Sequence, residues 1–283
     1  MRPTAIAIHR LAVQNTKRYF SSQKALQNPP PTVPPLPHTI VCIGRNYANH
    51  ISELGNTRPA EPFFFLKPVG SKEEVLMPIS RKVLMPKGCD LHYEVELAVV
   101  LKSKVDEWNG DMEGLKDIVW GYNVAIDMTA RNYQTSAKEK GLPWSLSKGL
   151  KTFLPISNFI PFNVIPDPHN VQLHLEVNGQ TRQEDSTNLM LFNIPMLLRH
   201  VTSVMPLFTG DLLLTGTPKG VGKVIPGDKI TAGVRVNGKE IELGKISVDI
   251  ADRVSGYGSK NDKKAIEKVG GNGAAEKKAP QGS

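Results

Sequence analysis

Ten consecutive residues, His92-Tyr93-Glu94-Val95-Glu96-Leu97-Ala98-Val99-Val100-Leu101, are mostly apolar and contain neither glycine nor proline. They read as one β-strand. Side chains alternate faces along a strand, so Glu94, Glu96, Ala98 and Val100 share one side, and Val95, Leu97, Val99 and Leu101 the other. The first side begins with two carboxylates and turns apolar, as at the mouth of a cavity that leads into a core. The two carboxylates stand a strand repeat apart, roughly 6–7 Å between Cα atoms. Like charges at a dry edge are costly unless a cation neutralises them. A hard divalent ion, Mg²⁺ or Mn²⁺, takes such oxygen ligands. The residues also allow a plain Glu-x-Glu pair on a solvated strand face.

Charge looks at first like a nucleic-acid signal, because the net value is +8. Its location removes that reading. Residues 1–24 carry Arg2, Arg10, Lys17, Arg18 and Lys24 without an acid, and residues 254–283 carry six Lys against Asp262, Glu267 and Glu276. Residues 25–253 are left with 24 basic and 24 acidic side chains. A neutral body does not support a groove for DNA or RNA. No apolar run approaches the ~20 residues of a membrane-spanning helix. Cys42 and Cys89 are the only cysteines and lack Cys-x-x-Cys spacing, which points to neither a disulfide framework nor structural zinc.

The two ends do not read as fold. Residues 1–24 place Ile8, Leu11, Ala12 and Tyr19 on one helical side and Arg10 and Lys17 on another, with serines and no acid. That combination resembles a mitochondrial presequence, and Arg18-Tyr19-Phe20-Ser21 resembles a processing context that leaves Ser21 near the mature start. An untargeted N-terminus is the alternative. Residues 25–37 form a proline-rich, extended lead-in. Residues 254–283, rich in Gly, Lys and Ala, are expected to be a disordered basic tail. The catalytic domain is expected over residues 38–253.

Between the ends, short strands are expected at 39–43, 63–66, 118–126 and 211–214. Val177-Asn178-Gly179-Gln180 and Val236-Asn237-Gly238-Lys239 are hairpin signals. Helices are expected over 47–54, closed by Gly55, over 129–139, and over 194–204 with Pro195 in the first turn. Hairpins, short strands and few helices make a β-rich α+β fold and not a doubly wound sheet.

Each polar constellation has two readings. Asp127, where a strand stops, is a third metal ligand or the N-cap of the helix behind it. His50 and Glu53 lie three apart on one helical face, as a base with its orienting carboxylate or as an exposed pair. Lys148 reads as a surface lysine, and Arg131 with Gln134 as a solvated helix face. The run Gly216-Thr217-Pro218-Lys219-Gly220-Val221-Gly222 fails the phosphate-loop spacing. Its amides can still hold an anion, or it is a tight turn.

Taken together, Gly44-Arg45-Asn46-Tyr47 with His50, Phe65-Leu66-Lys67-Pro68, His92-Tyr93-Glu94-Val95-Glu96, Asp127-Met128-Thr129-Ala130-Arg131, Lys140-Gly141-Leu142-Pro143-Trp144 and Leu214-Thr215-Gly216-Thr217-Pro218 resemble the fumarylacetoacetate hydrolase superfamily. Within it, the chain is similar to the mitochondrial acylpyruvase/oxaloacetate tautomerase branch. The resemblance implies a rolled mixed β-sheet with short flanking helices, in a homodimer. It implies Glu94, Glu96 and Asp127 as Mg²⁺ or Mn²⁺ ligands, and His50 and Glu53 as a dyad on a short lid helix. Lys148 is implied as the active-site lysine, Arg131 and Gln134 as polar substrate contacts, and Arg45 and Thr217 as holders of the substrate's carboxylate end. Many relatives carry Asp-Tyr where this chain has His92-Tyr93, and His92 is left outside the ligand set. The small N-terminal β-domain of fumarylacetoacetase is not found, which argues against fumarylacetoacetate as substrate.

The implied chemistry is that of small enolisable 2,4-dioxo acids in the mitochondrial matrix. The metal, a Lewis acid, stabilises an enolate by several kcal/mol. Protonation of that enolate completes oxaloacetate enol–keto tautomerisation; water attack on an acylpyruvate, or loss of CO₂ from oxaloacetate, reaches the same species. In this reading His50 and Glu53 handle water, and Lys148, with a lowered pKa, moves the C3 proton. The alternatives are acylpyruvate hydrolysis or oxaloacetate decarboxylation as the main activity, or a non-catalytic metal-binding protein of this fold.

Overall fold

The structure, a computed structural model, describes residues 34–53, 58–69, 76–77 and 82–257. The expected presequence, most of the lead-in, the Gly55 stop and most of the basic tail lie outside these residues.

In chain order the elements are β1 (Ile40–Gly44), α1 (Ala48–Glu53), β2 (Phe63–Lys67), β3 (Leu76–Met77), β4 (Val83–Met85), β5 (Leu91–Tyr93), β6 (Val95–Leu101), α2 (Leu115–Ile118) and β7 (Val119–Ile126). There follow β8 (Thr129–Ala130), α3 (Arg131–Glu139), α4 (Ser145–Lys148), β9 (Leu154–Pro155), β10 (Ile160–Pro161), β11 (Gln172–Val177), β12 (Gln180–Ser186) and α5 (Ile194–Thr202). Last come β13 (Leu212–Leu214), β14 (Gly222–Val224), β15 (Lys229–Val236), β16 (Lys239–Glu240) and β17 (Ile246–Asp252). This is a strand-rich α+β fold, as the hairpins and short apolar runs indicate.

Two large open sheets carry it. One has the order β10-β7-β6-β13-β1-β2, and the other β12-β11-β15-β17-β4 with β16 beside β15. Both are mixed: β1 runs parallel to β13, and β17 parallel to β4, while the other pairs are antiparallel. The first hairpin turns through Asn178 at φ +53° and Gly179 at φ +75°, the left-handed pair that a two-residue turn needs. Helix α5 begins at Asn193, whose side chain accepts from the Met196 amide, with Pro195 in the first turn.

The alternation read from the sequence decides what each face of β6 meets. Val95, Leu97, Val99 and Leu101 enter the main core with Leu173 and Leu175 of β11, Val234 of β15 and Leu197 and Leu198 of α5. Ala98 and Val100 pack on the opposite face with Ile40, Cys42, Ala125 and Leu214. Both faces of β6 are covered, so it is the buried spine of the first sheet. Asp211, also buried and just before β13, ties the start of β1 to the turn ahead of β13: its Oδ1 accepts the His38 and Thr39 amides at 2.8 Å, and its Oδ2 the Phe208 amide at 2.7 Å.

Two expectations need correction. The run from His92 to Leu101 is two strands, because β5 pairs with β14 and β8 while β6 pairs with β7 and β13. The chain changes sheets at Glu94. Asp127 is not the cap of the following helix; β8 intervenes and Ala130 holds the cap position of α3. Among the described residues no helix is long and apolar enough to cross a membrane.

Candidate active site

The change of sheets at Glu94 builds the site. The Val95 amide donates to Oε1 of Gln183, which reaches across from β12, at 2.9 Å. The Asp127 amide donates to the Glu94 carbonyl at 2.8 Å, and the register pairs Val95 with Ile126 and Glu96 with Ala125. Glu94 and Asp127 therefore stand opposite each other at the ends of β6 and β7. Glu96 faces Ala125, which is too small to crowd it. The three acids are buried, and one carboxylate oxygen of each lies within 4.8 Å of the others.

Three cations surround them. Lys148 Nζ lies 2.8 Å from Glu94 Oε2 and 2.7 Å from Asp127 Oδ2. Lys67 Nζ lies 2.8 Å from Asp127 Oδ1 and also donates to the carbonyls of Met128, Lys148 and Phe153. Arg131 donates to Glu94 Oε1 at 2.8 Å and to Gln134 Oε1 at 2.7 Å. Burial disfavours charge on Glu94, but Lys148 and Arg131 outweigh it and hold its pKa well below the carboxylate range. Glu96 has no salt-bridge partner among the described residues; burial, Asp127 and Glu94 push its pKa well up, against a 2.7 Å hydrogen bond from the Gly216 amide. Lys148 reverses the expectation of a lowered pKa. Burial lowers it, but Asp127 and Glu94 overcome that and raise it.

An all-oxygen donor set that is buried, in which Glu96 has no salt-bridge partner among the described residues, fits a hard divalent ion. Glu94, Glu96 and Asp127 could hold it. A softer metal would call for His or Cys, and Cys42, the nearby thiol, is kept protonated by burial and by Asp127.

The cavity above the acids is small, about 40 Å³, and opens to solvent. Of the residues singled out from the sequence, Arg45, His50, Arg131, Gln134, Lys148 and Thr217 line it beside the three acids. Glu53 stands behind His50, its Oε2 3.5 Å from His50 Nδ1, long for a hydrogen bond. Burial lowers the His50 pKa despite Glu94, so the ring is neutral near neutral pH. Arg45 takes a left-handed conformation at φ +59°, a backbone cost that the neighbouring Asn46 secures with hydrogen bonds to Phe192 and Thr215.

The glycine-rich run holds anions, but they belong to the protein. Its Gly216 amide serves Glu96, and its Gly220 amide donates to the Glu53 carboxylate at 3.1 and 3.3 Å. The Thr217 hydroxyl donates to the Val95 carbonyl at 2.8 Å and accepts from Gln183 Nε2 at 2.9 Å, so its proton is committed to the fold.

Lys67, Gln183 and Lys138 were not legible as site residues. Lys67 ends an apolar strand before a proline and looks like a surface lysine, although it is 3% exposed. Gln183 sits in a polar hairpin strand, and nothing local marks its reach to Val95. Lys138 falls one helical stripe along from Arg131 and Gln134, a spacing of three and then four that could have found it. Phe65 and Trp144, with ring centroids 5.4 Å apart, form the apolar wall.

The sequence model "Fumarylacetoacetate (FAA) hydrolase C-terminal" matches residues 39–251. A mitochondrial oxaloacetate tautomerase of Schizosaccharomyces pombe is 50% identical over 194 residues, 68% of this chain and 86% of that protein. A mitochondrial oxaloacetate decarboxylase of Dictyostelium discoideum is 48% identical over 196 residues, 69% of this chain and 88% of that protein. Among solved structures, fumarylpyruvate hydrolase from Pseudomonas aeruginosa in complex with Mn²⁺ and pyruvate superposes with a TM-score of 0.69 at 30% identity, over 78% of this chain and 91% of that one.

Proposed function

The chain belongs to the fumarylacetoacetate hydrolase family, and on that basis we propose that it is a divalent-cation-dependent enzyme that interconverts the enol and keto forms of oxaloacetate. The observation that carries this reading is the buried acidic corner, with Glu94, Glu96 and Asp127 converging beneath a cavity lined by Arg45, His50 and Lys148. Glu94, Glu96 and Asp127 would hold Mg²⁺ or Mn²⁺. When bound, the ion supplies Lewis-acid stabilisation of negative charge on an oxo-acid oxygen, worth several kcal/mol.

The remaining work falls to the protein. Lys148, kept as an ammonium by two carboxylates, delivers a proton to C3 of the enol and takes it back in the reverse direction. The enol oxygen's proton leaves to solvent at the cavity mouth, and Lys148 takes a proton back from solvent to restore its ammonium. Phe65 and Trp144 keep bulk water off the reacting carbons. Arg45, Arg131 and Gln134 orient the substrate, and Thr217 shapes the floor through the Val95 carbonyl. His50, neutral and oriented by Glu53, takes a proton from water when the substrate is an acylpyruvate, whose C3–C4 bond then breaks to give pyruvate and a carboxylic acid. General-base help of this kind is worth on the order of 10²–10⁴-fold.

The 48% identical Dictyostelium relative named as an oxaloacetate decarboxylase supports a second reading, in which loss of CO₂ is the main outcome. One preparation separates the three activities: decay of oxaloacetate enol absorbance, pyruvate formed from acetylpyruvate, and CO₂ released from oxaloacetate. The proposal expects enol decay to be fastest; CO₂ release at a matching or higher rate overturns the order. The basic, acid-free residues 1–24 and the mitochondrial names of the relatives support a matrix location. A homodimer, carried over from the family resemblance, belongs to the same reading.

A further inference from the structure

Four cationic side chains line the cavity: Arg45, Arg131, Lys138 and Lys148. Two of them are spent on the acids. Arg131 is bound to Glu94 and Gln134, and Lys148 to Glu94 and Asp127. Arg45 and Lys138 have no carboxylate partner among the described residues. The acids are buried on the floor, whereas Lys138 is exposed on the last turn of α3, at the rim. Its position is fixed there by Trp144, with Nζ 5.3 Å from the ring centroid. The site thus has a floor that binds a cation and a mouth with unmatched positive charge.

We propose that Lys138 is a specificity-determining residue for a dianionic substrate: its ammonium receives the carboxylate at the far end of a short dicarboxylate whose near end is held at the acidic corner. The proposal rests on the functional reading above and deepens it. An oxaloacetate-like C4 dicarboxylate presents a carboxylate to the rim. An acylpyruvate presents an uncharged acyl group there and gains nothing from Lys138. Burial, Arg45 and Arg131 lower the Lys138 pKa, as expected for a cation set among cations that lacks an anion.

The test uses the full chain with Mg²⁺ and the oxaloacetate enol-decay assay, with acetylpyruvate as competitor. Lys138→Gln is expected to raise KM for oxaloacetate about three- to fivefold, the scale of one exposed charge pair. The inhibition constant of acetylpyruvate and the kcat for oxaloacetate should stay within about twofold. Lys138→Glu should raise KM about tenfold or more, and Lys138→Arg should restore it. Lys140→Gln, which removes a charge one residue beyond the same helix and does not line the cavity, should change neither constant. Equal shifts for both compounds, no shift for either, or a matching effect of Lys140→Gln overturn the role of Lys138 while leaving the enzyme's activity standing. A wild-type protein that neither turns over nor binds oxaloacetate overturns the functional reading, and this inference with it.

Discussion

Glu96 is the acid of the corner without a cation of its own. Burial, Asp127 and Glu94 all raise its pKa, so the metal-free protein retains its proton above the ordinary carboxyl range. A divalent ion must displace that proton. Mg²⁺ affinity should therefore rise with pH until Glu96 ionises freely, and calorimetry in buffers of different ionisation enthalpy should read up to one proton released per ion. The linkage runs the opposite way without metal. The folded protein binds this proton more tightly than the unfolded chain does, so stability is lost as pH rises from the ordinary carboxyl range through the raised pKa of Glu96. Glu96→Gln should abolish both effects; proton release unchanged in that variant assigns the titration to another group. In the same cavity, His50→Ala should depress acylpyruvate hydrolysis about a hundredfold and oxaloacetate tautomerisation less than tenfold. Equal losses reject the division of labour between His50 and Lys148.

At the scale of elements, the decisive event is the passage from β5 to β6. A continuous strand would leave the Val95 amide to a neighbouring strand; here Gln183 takes it and uses its own amide on Thr217 and on the Pro218 carbonyl at 2.9 Å. Gln183→Met keeps the volume but strands buried polar groups, at about 1–3 kcal/mol each. The expected result is a lower Tm together with Mg²⁺ affinity weakened about 10–100-fold, as for other groups that orient metal ligands. A lower Tm with unchanged Mg²⁺ affinity would reduce Gln183 to a packing role. The glycine-rich loop is equally constrained. Gly220 has φ +90°, and a Cβ there would stand 2.0 Å from the Arg182 carbonyl oxygen, so Gly220→Ala must move the amide that holds Glu53. Its hydrolytic activity should fall toward that of Glu53→Gln.

Over the whole molecule, what could be read from the sequence follows from how local the cause is. The Asn178-Gly179 turn, the Pro195 helix start and the two faces of β6 come from residues a few positions apart, and the structure places them as expected. The pairing of Glu94 with Glu96 was legible because two acids two residues apart share a strand face; Asp127 read from its own surroundings as a ligand or a helix cap, and only the family resemblance joined it to them. The break at Glu94 was not legible, since its cause is Gln183, 88 residues from Val95, and the alternation runs through without interruption. Lys67 was hidden for the same reason: its partners lie 60 to 86 residues away, and none is adjacent in sequence. Every role assigned to the site depends on the acidic corner holding one hard cation where an oxo acid can reach it. The direct test is oxaloacetate enol decay, measured on chelator-treated protein, after Mg²⁺ is restored, and with Glu94→Ala. The account predicts negligible catalysis without the ion, full recovery with it, and a loss of at least about a hundredfold in Glu94→Ala at saturating Mg²⁺. Undiminished decay in the chelated protein or in Glu94→Ala would contradict it.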